Sequence, residues 1–176
     1  MARFDDCMAF TLGPSIEGGT SNNSADHGGL TQCGVTQATY DNYRSSKGLP
    51  LQPVTMITQV EIDAIYFAGY WLTSQAGNLP VPVDMCVFDA AVNSGPGRSA
   101  KLLQAAVGVT QDGAIGPATI AAVNAMPPLT VAANFISARD AFYRDIVNND
   151  PSQGAFLKGW LNRDNALRVA CGLPTV

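Results

Sequence analysis

Phe4, Met8, Leu12 and Ile16 stand four residues apart, and this spacing predicts an opening helix with one apolar face. Gly13-Pro14 interrupts it, so the helix is expected to kink or end there. Residues 17–36 are rich in Gly, Ser, Asn, Asp and Thr. That is the composition of turns, with a small β-hairpin expected around Leu30–Val35. Beyond it the pattern is helical. Thr36 is placed to cap a helix running to Lys47, with Gly48 as its stop. Thr58-Gln-Val-Glu61 is a capping box for a helix carrying Ile62, Ile65, Tyr66, Tyr70 and Trp71.

The second half predicts a buried helix over Val83–Asn93, another over Ser99–Val107, and Pro117–Ala125 with proline in its first turn. Val131–Val147 is expected to be a long helix with Phe135, Ala138, Phe142 and Ile146 on one face. Ala155–Asn162 and Asp164–Ala170 are expected to close the fold. The predicted class is mostly α (α+β), with a small β element near the N-terminus.

Composition narrows the function. Of 176 residues 47% are hydrophobic and only 14% charged, against about 25% charged in ordinary domains. Low charge without low hydrophobicity excludes a disordered chain. A net charge of −4 argues against a nucleic-acid partner, which needs a basic face. Residues 1–129 hold ten acidic and five basic side chains, and residues 130–176 four and five, so only the C-terminal part is mildly basic.

The uncharged stretches 64–83 and 113–138 are both broken by prolines and polar residues. Neither meets the requirement of about 20 mostly apolar residues for a bilayer span, and no stable membrane association is expected. Met1-Ala-Arg-Phe-Asp-Asp-Cys7 has no apolar run behind a basic start, so no signal peptide is expected. Cys7, Cys33, Cys86 and Cys171 are scattered and expected to be reduced thiols. With His27 the single histidine, no metal site is expected.

Candidate chemistry centres on a scarcity. The chain has twelve aspartates but only two glutamates. Glu61 is occupied by the capping box. Glu17 follows the first helix and precedes Gly18-Gly19, and reads either as a solvated helix end or as a carboxyl group facing a cleft. Asp26 and Thr31 follow nine and five residues later in turn. A hairpin at Leu30–Val35 would bring both back opposite Glu17. An acid that protonates a leaving oxygen, with a polar pair that holds a water, is the equipment of glycosidic-bond hydrolysis. Separately, Asp26 also suits an Asx-turn and Thr31 a strand.

These residues carry a resemblance. Phe10-x6-Glu17-Gly-Gly, then Asp26-x-Gly28-Gly29-x-Thr31-x-x-Gly34-Val35-Thr36, resembles glycoside hydrolase family 108, the phage and prophage muramidases. Val87-Phe-Asp-Ala-Ala-Val-Asn93-Ser-Gly95, Leu103-Gln104 and Asp112-Gly-Ala-Ile-Gly116-Pro-Ala-Thr119 resemble the predicted peptidoglycan-binding domain that accompanies it. His27 stands where the family tends to have proline.

The resemblance implies a lysozyme-like fold, with a catalytic segment at 1–80 and a helical lobe at 81–176 integrated in the same fold. It implies an N-acetylmuramidase endolysin acting on bacterial peptidoglycan, with Glu17, Asp26 and Thr31 catalytic and no cofactor. A monomer is expected, held in the host cytoplasm until lysis and then acting on the cell wall in the periplasm. A lytic transglycosylase and a non-catalytic cell-wall-binding protein are the rival readings. Tyr66, Tyr70 and Trp71 are candidates for a sugar-binding face or for the core, and Asn93 for an N-acetyl contact or a helix cap. Cys33 near His27 raises a cysteine amidase, without signature residues around it.

Overall fold

The opening helix α1 (Ala2–Thr11) ends just before Gly13, as proline at position 14 requires. The computed structural model describes residues 2–13, 20, 21 and 31–176. The chain divides into two compact units, Met1–Gly69 and Tyr70–Val176.

In the first unit, three two-residue strands, β1 (Thr20–Ser21), β2 (Thr31–Gln32) and β3 (Val35–Thr36), form an antiparallel sheet in the order β1-β2-β3. Gln32 pairs with Val35, so Cys33-Gly34 is a two-residue turn. Both turn residues have positive φ, 49° and 73°, the geometry that matches the strands' right-handed twist. The hairpin was legible in the sequence; the third strand was not, because two residues carry no period. Thr36 ends β3 and caps α2 (Gln37–Ser46) by accepting from the Thr39 amide. Gly48, at φ +67°, follows the helix end, the left-handed position glycine fills without steric cost.

The capping box opens α3 (Gln59–Tyr66) with both of its reciprocal bonds formed. The helix runs on as a π-helical turn over Phe67–Leu72. Phe4 packs edge-on against Phe67, with ring centroids 5.2 Å apart. Cys7, Met8, Val35, Tyr40, Val54 and Ile62 are buried in this unit.

The second unit is helical. α4 (Val83–Ser94) is buried on nearly every side, among α5 (Pro96–Val107), α7 (Pro128–Asn149) and α8 (Gly154–Ala170). α6 (Pro117–Asn124) precedes α7. Ser99 on α5 donates to the Val87 carbonyl of α4 at 2.7 Å, a small side chain that lets the two helices approach closely. α5 starts at Pro96, earlier than its pattern predicted, because proline is well placed in a first turn. The two closing helices expected are one, α8, continuous through Arg163.

The buried face of α7 is offset from the apolar face read in the sequence. Val131, Ala132, Phe135, Ile136, Arg139 and Tyr143 are buried, so the stripe is rotated and carries a charge. Phe142 and Ile146 lie half-buried beside it. The rotation follows from what faces Arg139, described below.

Candidate functional site

Glu17 and Asp26 lie outside the described residues. In sequence Glu17 precedes β1 by three positions, and Asp26 falls in the connection between β1 and β2. Thr31 is described. It opens β2, half-buried, paired with Ser21 on one side and Thr36 on the other.

The hairpin carrying Thr31 is fixed from α3. Tyr66, 2% exposed, donates from its hydroxyl to the Cys33 backbone carbonyl at 2.8 Å. Cys33 holds a left-handed conformation that a residue with a Cβ adopts at a cost of roughly 1 kcal/mol or more. The buried hydroxyl secures that turn. Tyr66 therefore offers no open ring face to a sugar. Trp71 is 7% exposed and edge-on to Phe88 at 5.6 Å. Its indole nitrogen would lie 3.0 Å from a Cβ at Gly77, so it too is packed in.

Beside the hairpin turn, α1, Cys33 and the start of α3 enclose a cleft of about 330 Å³ lined by Asp5, Met8, Leu12, Cys33, Gln59 and Asp63. Gln59 donates to Asp63 at 2.8 Å. The two carboxylates on the cleft were missed by sequence reasoning, since each sits on the polar face of a helix with no local motif.

Glu61 is 8% exposed and held from four directions. Tyr40 donates to it at 2.8 Å, Arg44 at 2.6 Å, and the Thr58 amide and hydroxyl at 3.0 Å each. Burial alone would raise its pKa; the Thr58 and Tyr40 hydrogen bonds and the Arg44 charge outweigh that and hold it below the ordinary value. Glu61 is thus an anion committed to joining α2 and α3. A general acid must hold a proton at working pH, and this carboxylate does not.

Asn93 belongs to a buried polar network in the second unit. Its Oδ1 accepts from the Tyr143 hydroxyl at 2.7 Å, from Ser94 at 2.9 Å and from Arg139 at 3.3 Å. Arg139 donates to Asp89 at 2.7 Å, and Arg163 grips the same carboxylate at 2.8 and 3.0 Å. Burial opposes ionisation of Asp89, but the two guanidinium groups hold its pKa below the usual range.

Asp164 is the exception in this network. It is 1% exposed and 3.2 Å from Arg139, yet neither of its oxygens meets hydrogen-bond geometry. Burial, reinforced by Asp140 and Asp89 against the pull of Arg139, pushes its pKa up to about 8. Asp89 was detectable in the sequence: a carboxylate inside an apolar run needs a buried partner.

Among the described residues no group of His, Cys, Asp or Glu is arranged to hold a metal ion. No single described helix is long and apolar enough to cross a membrane. None of the four cysteines is in a disulfide; Cys7, Cys86 and Cys171 are buried and Cys33 half-buried.

Residues 11–95 match the family model described as glycosyl hydrolase 108, and residues 98–165 match one described as a predicted peptidoglycan domain. SagA of Brucella abortus, a solved structure, is 32% identical, with a TM-score of 0.80 over 97% of this chain and 94% of that one. The chain belongs to glycosyl hydrolase family 108. No curated protein matches it.

As a family 108 hydrolase it is a glycoside hydrolase with peptidoglycan as its partner. The first matched stretch spans Glu17, Asp26 and Thr31, as well as Tyr66, Trp71 and Asn93. The second begins at Arg98, within α5, and runs through about two thirds of α8.

Proposed function

We propose that this family 108 hydrolase is an N-acetylmuramidase, cutting the β-1,4 bond between N-acetylmuramic acid and N-acetylglucosamine during host cell lysis. Glu17 protonates the leaving oxygen. Asp26 and Thr31 hold the water that attacks the opposite face of the sugar. The observation that carries this reading is the fate of the other glutamate. Glu61 is ionised and fully engaged by Tyr40, Arg44 and Thr58, which leaves Glu17 as the glutamate available to donate a proton. The cleft bordered by Leu12 at the end of α1 agrees with a site in this part of the chain.

Mass spectrometry of digested sacculi tests the reading. Reducing muramic ends released by wild type, and not by Glu17→Gln, are expected. Ends in 1,6-anhydro form mean transglycosylation, and undigested sacculi mean a binding protein; either overturns it.

A further inference from the structure

The second unit has a groove of about 300 Å³ between α5 and α7, lined by Arg98, Lys101, Ala105, Ala138, Phe142 and Asp145 among others. The Arg98 guanidinium lies over the Phe142 ring, 4.4 Å from its centroid. Stacking of this kind orients a guanidinium while leaving its edge donors free. Lys101 is placed from its other side: its stem rests against Gly113, with Cε 3.3 Å from where a Cβ would stand.

Gly113 is itself held by the buried Gln104. That side chain accepts from the Gly113 amide at 3.0 Å and donates to Asp112 at 2.6 Å, to the Ala114 carbonyl at 3.0 Å and to Thr119 at 3.2 Å. The Asp112–Thr119 motif of the sequence thus builds the wall that supports Lys101. Among the described residues no carboxylate lies within ion-pair distance of Arg98 or Lys101. Two oriented cations without an ion-pair partner, in a chain of net charge −4, give the groove a local excess of positive charge suited to an anion. Asp145 adds one negative group at its edge.

We propose that this groove binds the peptide stem of peptidoglycan, Arg98 and Lys101 receiving a stem carboxylate and Asp145 the free ammonium of the diamino acid. The proposal rests on peptidoglycan being the partner. The glycan strand is the poorer occupant. N-acetylglucosamine brings no anion for the two cations, the lactyl carboxyl of N-acetylmuramic acid is neutralised as an amide wherever it carries a stem, and the Phe142 face that would stack on a pyranose is covered by Arg98. The alanines at 105 and 138 keep the floor shallow enough for a peptide backbone.

Titration of the isotopically labelled full chain, followed by NMR, tests this. The probes are L-alanyl-γ-D-glutamyl-meso-diaminopimelate, the same peptide with its carboxylates amidated, and a peptide-free chitotetraose. The free peptide is expected to shift amides in 98–101 and 138–145. Arg98→Gln/Lys101→Gln is expected to weaken it at least about tenfold, whereas Lys158→Gln, an exposed cation on α8, keeps wild-type affinity. Both variants change exposed side chains, and circular dichroism verifies their fold. The proposal is overturned if the free peptide moves none of these amides, if the amidated peptide or chitotetraose moves them equally, or if the double variant binds as wild type does. Cleavage of peptide-free glycan by wild type beside Glu17→Gln scores the muramidase reading separately, with no peptide in the assay.

Discussion

The Tyr66 hydroxyl holds the Cys33 carbonyl at 2.8 Å, and through it α3 fixes the left-handed turn of the hairpin that carries Thr31. A residue that the sequence left open between a sugar-binding face and the core is a pin for the strand beside it. Tyr66→Phe removes a bond worth about 0.5–1.5 kcal/mol. The expected result is that loss in chemical denaturation, with the CD spectrum unchanged; an unaltered denaturation midpoint contradicts the pinning role.

Glu17→Gln keeps size and hydrogen bonding but cannot donate a proton, and general acid catalysis is worth about 10²–10⁴-fold. Turbidity clearing of permeabilised cells by the folded variant is expected to fall by that order. Retention of more than a few per cent of activity removes Glu17 from the role.

Glu61→Gln leaves Arg44 and Tyr40 without their anion and weakens the capping box. A stability loss of about 1–3 kcal/mol is expected, with turnover per folded molecule unchanged. A collapse of turnover in fully folded protein would make Glu61 the acid.

Stereochemistry follows from the proposed water-holding role of Thr31. Room for a water requires carboxyl groups about 6.5–9.5 Å apart and gives inversion, whereas about 5–5.5 Å gives retention. Net inversion is expected, with Asp26→Asn more damaging than Thr31→Ala. NMR of the first-formed anomer decides: β product, or a glycosyl group trapped on Asp26, rejects it.

Asp164 imposes a pH dependence of definite sign. Its folded pKa, near 8, is raised above about 3.9 in an unfolded chain. The folded state therefore binds the extra proton, and the stability tied to it is complete below pH 4 and lost as pH rises through 8. Asp89 and Glu61, held low, act oppositely and only on acidification through the carboxylate range. Between pH 5 and 8 the melting temperature of wild type is expected to fall, and that of Asp164→Asn to fall less. Parallel slopes in the two proteins would refute the assignment.

Much of this protein was legible in the sequence because its signals are local. Thr36, Thr58 with Glu61, Gly48 and Pro117 each act within one helical turn, so helix starts and stops could be read from neighbours alone. The Cys33-Gly34 hairpin obeys the same logic, as do the motifs that placed the chain in its family. What tertiary structure decided are the fates of side chains whose partners lie far along the chain. Arg139 turns the buried face of α7 because Asp89, fifty residues earlier, sits unsolvated opposite it, and a buried charge must be matched. That same network takes up Asn93, and core packing takes up Trp71. Arg98 and Phe142 form one wall of a groove only because α5 packs on α7. Periodicity reports which face of a helix is apolar, but which polar atoms meet inside is set by the packing of helices that no local pattern encodes.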